Sequence, residues 1–108
     1  MDGYPQNCKA IQPTLITDLE MHQPQKYKGP RDKQLDDLDK GDFIKIAYLN
    51  REEVWLYVEH VDERKETLIY AQVAQHVKVV DGLKVNQRVI VLCEHVVEIR
   101  FHDEKISP

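Results

Sequence analysis

Glycine is scarce in this chain, four in 108 residues, and no stretch gathers enough of it to make a phosphate-cradling loop. Cysteine is scarcer: Cys8 and Cys93 are too few for a disulfide framework and are not spaced as CxxC, which makes two reduced thiols the expectation. No apolar run approaches the ~20 residues of a membrane helix. The opening Met1-Asp2-Gly3-Tyr4-Pro5-Gln6-Asn7 lacks the basic-then-apolar order of a signal peptide, so a cytoplasmic protein with no membrane contact is expected. Positive charge is also short: 15 Lys and Arg against 19 Asp and Glu leave a net −4 and no general attraction to phosphate backbones. Complete catalytic, metal and nucleotide motifs are missing as well. The expectation is therefore no catalytic residue, no metal and no cofactor.

What remains is enough for one domain with a workable core. Its most patterned stretch is Glu53-Val54-Trp55-Leu56-Tyr57-Val58-Glu59-His60-Val61, which alternates with a strand's period of two. Val54, Leu56 and Val58 point one way into a core; Trp55, Tyr57 and Glu59 point the other. Ahead of it, residues 1–37 read as an arm and linker, with four of the five prolines at 5, 13, 24 and 30. Ile11, Leu15, Ile16, Leu19 and Met21 make part of that arm sticky enough to dock, with residues 14–21 as a short strand or helix. Asp32 to Leu38 predicts a helical turn capped by Asp32, and Asp36, Asp37, Asp39 and Asp42 a solvated acidic turn. A calcium loop is excluded because, counting from Asp37, Gly41 falls where an oxygen ligand is needed.

From residue 38 to 102 the pattern is that of a β domain. Gly41 turns the chain into a first strand, Phe43 to Leu49, and Asn50-Arg51-Glu52 connects it to the second. After a charged turn at Asp62 to Lys65 comes a third strand ending at Val73, with Ile69, Ala71 and Val73 on one face. Residues 74–80 continue that strand past a bulge or cross the sheet. Arg88 to Leu92 is the fourth strand, Cys93 to His95 a helical turn, and Val96 to Phe101 a last strand with Val97, Ile99 and Phe101 together. Residues 103–108 read as a frayed tail. Asn86 occupies the turn position before Arg88 that Gly41 occupies before Phe43, and asparagine tolerates positive φ. Five to six short strands with such turns predict a mainly β fold: a small antiparallel SH3-like barrel, or a strongly bent antiparallel sheet covered by the N-terminal arm.

Gly41-Asp42-Phe43-Ile44-Lys45, Val54-Trp55-Leu56-Tyr57-Val58, Asp81-Gly82-Leu83-Lys84 and His95-Val96-Val97-Glu98-Ile99 together resemble a small bacterial domain family of unknown function. Its marks are a Gly-Asp turn followed by a Trp-containing strand, and the resemblance covers about residues 38–101. At the second turn this chain has Asn86-Gln87 where Gly-Asp is usual. The resemblance implies a fold and no catalytic residues.

Three functional readings follow. The first is a non-catalytic interaction module that binds a protein partner, or its own second copy, through the aromatic face formed by Tyr48, Trp55, Tyr57 and Tyr70, or through an edge strand. In the free monomer Ile11, Leu15, Ile16 and Leu19 are expected to close that face. The second is a nucleic-acid adaptor using the same aromatics with Lys45, Arg88 and Arg100, disfavoured by the acidic balance. The third is a minor metal or thiol site at Cys93, His95 and His60, against which stands the simpler expectation of a buried Cys93 and a surface His95.

Overall fold

In the computed structural model, residues 7–30, 32–49, 52–62 and 68–102 are described. The hairpin tip at 50–51, the turn at 63–65, the capping side chain of Asp32 and the tail 103–108 lie outside them. The elements are β1 (Lys9–Ala10), α1 (Ile16–His22), α2 (Asp32–Asp36), β2 (Phe43–Ala47), β3 (Glu53–Asp62), β4 (Leu68–Val73), β5 (Arg88–Leu92), a 3-10 turn at Cys93–His95, and β6 (Glu98–Arg100). Among the described residues no helix is long and apolar enough to cross a membrane.

The strands form one sheet in the order β1-β5-β4-β3-β2-β6. All neighbours are antiparallel except β1, which lies parallel to β5. The expected antiparallel SH3-like barrel is thereby corrected to a mixed sheet that is not closed. The edges that closure would join are taken instead by two different strands, β1 beside β5 and β6 beside β2, which do not pair with each other.

Strict alternation builds the inner face. Ile44 and Ile46, then Val54, Leu56 and Val58, then Ile69, Ala71 and Val73, then Val89 and Val91 are all buried. The chain itself shows that the sheet is bent. Ile11 donates its N–H to Ile90 of β5, and three residues later Thr14 donates to Ala47 of β2. In a flat sheet those acceptors would lie roughly 25 Å apart, from three strand spacings and the length of β3 between their rows. Three residues and two hydrogen bonds reach only about 17 Å, so opposite corners of the sheet must approach. Ile11, Leu38, Leu83 and Val96 complete the core inside that bend, with Leu35, Tyr48, Val77 and Val80 packed against it.

A second, smaller cluster forms where Leu19 of α1 and Tyr27 bury against Ala47 and Val97, with Ile16 and Leu49 beside them. It changes the reading of the last strand. Val96 belongs to the main core and Val97 to the second, because alternation starts only at Glu98, after the 3-10 turn has brought two consecutive valines inward.

Local polar groups hold the connections. Gly41 and Asn86 both have positive φ, 99° and 71°, as the two turns require. Asp42 is not solvated with its acidic neighbours. It is 2% exposed, and its carboxylate accepts the N–H groups of Asp39 (2.9 Å) and His102 (3.0 Å), with His102 Nδ1 at 2.6 Å. Residues 74–80 form a crossing segment. Ala74 N–H bonds to Trp55 O, and the Gln75 side chain continues the ladder by accepting Trp55 N–H at 2.8 Å. Glu52 then accepts three successive backbone N–H groups, from Lys78 (3.1 Å), Val79 (2.6 Å) and Val80 (2.8 Å). The bonds from Val80 and Val79, with that from Lys78, hold the Glu52 carboxyl below the ordinary 4.5. A carboxyl depressed on folding stabilises above its ordinary pKa, and that stabilisation is lost as pH falls through the folded value. Amide protection at Val79 and Val80, taken relative to the intrinsic exchange rate, should fall selectively in Glu52→Ala, and in the wild type as pH falls below the ordinary carboxyl range. Unchanged protection there would show that the crossing segment is held by Val77 and Val80 packing instead.

Candidate interaction site

The outer face of the sheet follows from register. Lys45 lies opposite Trp55, Phe43 opposite Tyr57 and Ala47 opposite Glu53; on the other side of β2, Lys45 meets Glu98 and Phe43 meets Arg100. Across to β4, Tyr57 lies opposite Gln72 and His60 opposite Tyr70. Uninterrupted alternation would send His60 inward after Val54, Leu56 and Val58. A bulge between Val58 and His60 turns it outward, where its ring centroid is 5.6 Å from that of Tyr70. Trp55, Tyr57 and Tyr70 thus share one face, and Phe43 joins them edge-on to Tyr57 at 5.5 Å. Tyr48 does not. It packs against the inner core, where burial raises its pKa.

The residues expected to close the aromatic face are elsewhere. Ile11 enters the main core, and Leu19 with Ile16 covers Ala47 and Val97 at the neighbouring end of β2. What flanks the Trp55 ring is charge: Lys45 Nζ lies 5.0 Å and the Arg100 guanidinium 5.2 Å from its centroid. Cations at this distance are attracted by the ring's quadrupole while their aliphatic stems cover part of its apolar surface.

Glu53 ties this face to the N-terminal segment. Its Oε2 accepts the Tyr27 hydroxyl at 2.7 Å and lies 3.4 Å from Lys26 Nζ, and its Oε1 lies 3.4 Å from Lys45 Nζ. Lys45 also meets Glu98 at 3.0 Å. Burial by itself would raise the Glu53 carboxyl, but the Tyr27 hydroxyl and the Lys45 and Lys26 ammoniums hold it below its usual range. Burial by itself would lower Lys45, yet the two carboxylates keep it above its ordinary value. Between this network and residues 25–28 lies a cleft of about 430 Å³ lined by Lys26, Tyr27, Lys28, Lys45, Glu53 and Glu98 among others. Sites for drug-like molecules are mostly apolar; a lining this rich in charge suits a polar segment of a larger partner.

Cys93 and His95 exchange their expected places. His95 is 3% exposed and Cys93 partly exposed, because the imidazole folds back so that Nδ1 accepts Leu92 N–H at 3.1 Å. Burial lowers the His95 pKa and keeps the ring neutral as that acceptor. Both cysteines are half-buried thiols, and burial, aided by Glu59, raises the Cys8 pKa. Of the basic residues singled out in sequence, Lys45 and Arg100 meet at Trp55, whereas Arg88 pairs with Glu59 at 3.4 Å. Sequence reasoning missed Lys26, Tyr27 and Glu53. The signal available was the basic-aromatic Lys26-Tyr27-Lys28 in an otherwise polar stretch.

No family model, curated protein or solved structure matches the chain. The resemblance to a small bacterial domain family rests on its sequence motifs alone.

The Tyr27 phenol is raised from 10.0 to about 12, first by burial and then by the Glu53 carboxylate it bonds. Its contribution is complete below pH 10 and is lost as pH rises through 12, since the unfolded phenol ionises first. Tyr27→Phe should cost about 1.5 kcal/mol in denaturant unfolding. Tyrosinate absorbance should lose its latest-titrating component in the same variant. Loss of a component that titrates near the ordinary 10.0 instead would remove Tyr27 from its contact with Glu53.

Proposed function

We propose that this chain is a non-catalytic interaction module that receives an extended acidic segment of a protein partner on its outer sheet face. The observation that carries the reading is Trp55, set on that face between Lys45 and Arg100. Lys26 and Lys28 extend the basic side along the cleft. Four cations against the carboxylates of Glu53 and Glu98 invert, locally, the charge of a chain that is net −4. Such a patch favours a negatively charged partner and sets the encounter rate as much as the affinity. Tyr57, Phe43 and Tyr70 continue the surface with flat rings of low conformational entropy, the residue type that dominates binding energies.

The same rings and cations would suit single-stranded nucleic acid, where bases stack on aromatics. Both readings draw on the same local charge, and the oligonucleotide arm of the test separates them. A thiol or metal reading at Cys93 and His95 has no support from geometry that commits His95 Nδ1 to the backbone.

The test is titration of ten-residue acidic, neutral and basic peptides, and of an oligothymidylate, at low salt while Trp55 emission is followed. Acidic peptides should bind, and Trp55→Ala, followed by calorimetry, should weaken them about tenfold. Equal binding of basic and acidic peptides, or binding of the oligonucleotide alone, would refute the reading.

A further inference from the structure

The sheet ends at β6. Its partner is β2, and among the described residues no strand pairs with its outer edge. An edge of this kind presents backbone donors and acceptors in a row to any chain that fits. Three residues form it: Glu98, Ile99 and Arg100. Glu98 and Arg100 are exposed on the outer face, and Ile99 packs against the main core. Opposite charges therefore flank a central apolar residue, which makes the strand complementary to its own reverse.

We propose that the chain self-associates as a two-fold dimer through antiparallel pairing of β6 with β6 of a second copy, centred on Ile99. In that register Glu98 faces Arg100 of the other copy and Arg100 faces its Glu98, so both cross-strand pairs are attractive. Every competing register loses this. Parallel pairing sets Glu98 against Glu98, centring on Glu98 does the same, and centring on Arg100 opposes two guanidinium groups. Short charged edge strands commonly serve to repel other strands. Here the charges that repel an arbitrary strand select the one whose order is reversed, and a second copy supplies it.

The two side chains are already held on the face where they would be needed. Lys45 fixes Glu98 at 3.0 Å, and Trp55 carries the Arg100 guanidinium at 5.2 Å. Ordering them in advance reduces the entropy cost of association. The contact is isologous and so stops at two copies. The opposite edge, β1, has two residues running parallel to β5 and offers no equivalent charge order. Three residues a side make a small interface, and so a weak, reversible dimer. This inference does not rest on the acidic-partner reading, although the two share Glu98 and Arg100: its readout is association of the chain with no peptide present.

The test is sedimentation equilibrium of the full chain from about 10 μM to about 1 mM at low salt. The wild type should move from monomer toward dimer across that range. Glu98→Arg and Arg100→Glu, each alone, should weaken association about tenfold or more, because like charges then oppose at both pairs. An equimolar mixture of the two variants should restore it, since one strand is then wholly positive and the other wholly negative. Circular dichroism confirms that each variant is folded. If either is not, concentration-dependent amide shifts in the wild type supply the answer and should centre on residues 98–100. A wild type that stays monomeric to 1 mM, single reversals that associate as the wild type does, a mixture that remains monomeric, or amide shifts confined to other strands would each overturn the proposal.

Discussion

A single sheet can bury one of its faces on itself only by bending, and that constraint orders the rest of this molecule. The inner residues of β2 to β5 are buried because the bend, with the loops folded into it, gives them one another as partners. The backbone bonds from Ile11 to β5 and from Thr14 to β2 span the bend. Once the inner face is satisfied in this way, the outer face meets no second sheet among the described residues. Its residues must be satisfied by solvent, by one another or by a partner.

The chain meets part of that requirement with charge. At the Ala47 end, α1 and Tyr27 supply an apolar patch, and Glu53 anchors it through a hydroxyl and two ammoniums. Further along the same strands the covering is different in kind. Lys45 and Arg100 lie over Trp55, so the largest aromatic is shielded by groups that can move aside or bind in turn. Glu53 is the boundary between the two regions. It holds the N-terminal segment down on one side and orients Lys45 toward Trp55 on the other, coupling the stability of the fold to the shape of the candidate surface.

Much of the fold was legible in the sequence, because period-two alternation is a local property. Val54, Leu56 and Val58, the turns at Gly41 and Asn86, and the 3-10 turn at Cys93–His95 were all readable from neighbouring residues. What escaped depended on contacts distant in the chain. The parallel seat of β1 on β5 joins residues about eighty positions apart, and nothing near Lys9 announces it. The bulge that turns His60 outward, the burial of Asp42 by His102, and the inversion of Cys93 and His95 each required a partner from elsewhere or a local backbone choice. The candidate site was half visible. Trp55, Tyr57 and Tyr70 follow from strand period, but the docking of Tyr27 on Glu53 joins positions 26 apart and decides which part of the face is covered.

The central claim is that Trp55 is partly exposed and flanked by cations and not by an apolar segment, while the N-terminal segment docks beside it. As the chain holds one tryptophan, its emission reports on this face alone. The direct measurement is quenching of that emission in the folded protein by acrylamide, iodide and caesium. The structure predicts ready quenching by acrylamide, with iodide more effective than caesium because Lys45 and Arg100 draw the anion to the ring. Blue-shifted emission resistant to all three would contradict it, and would mean that an apolar segment closes over Trp55 after all.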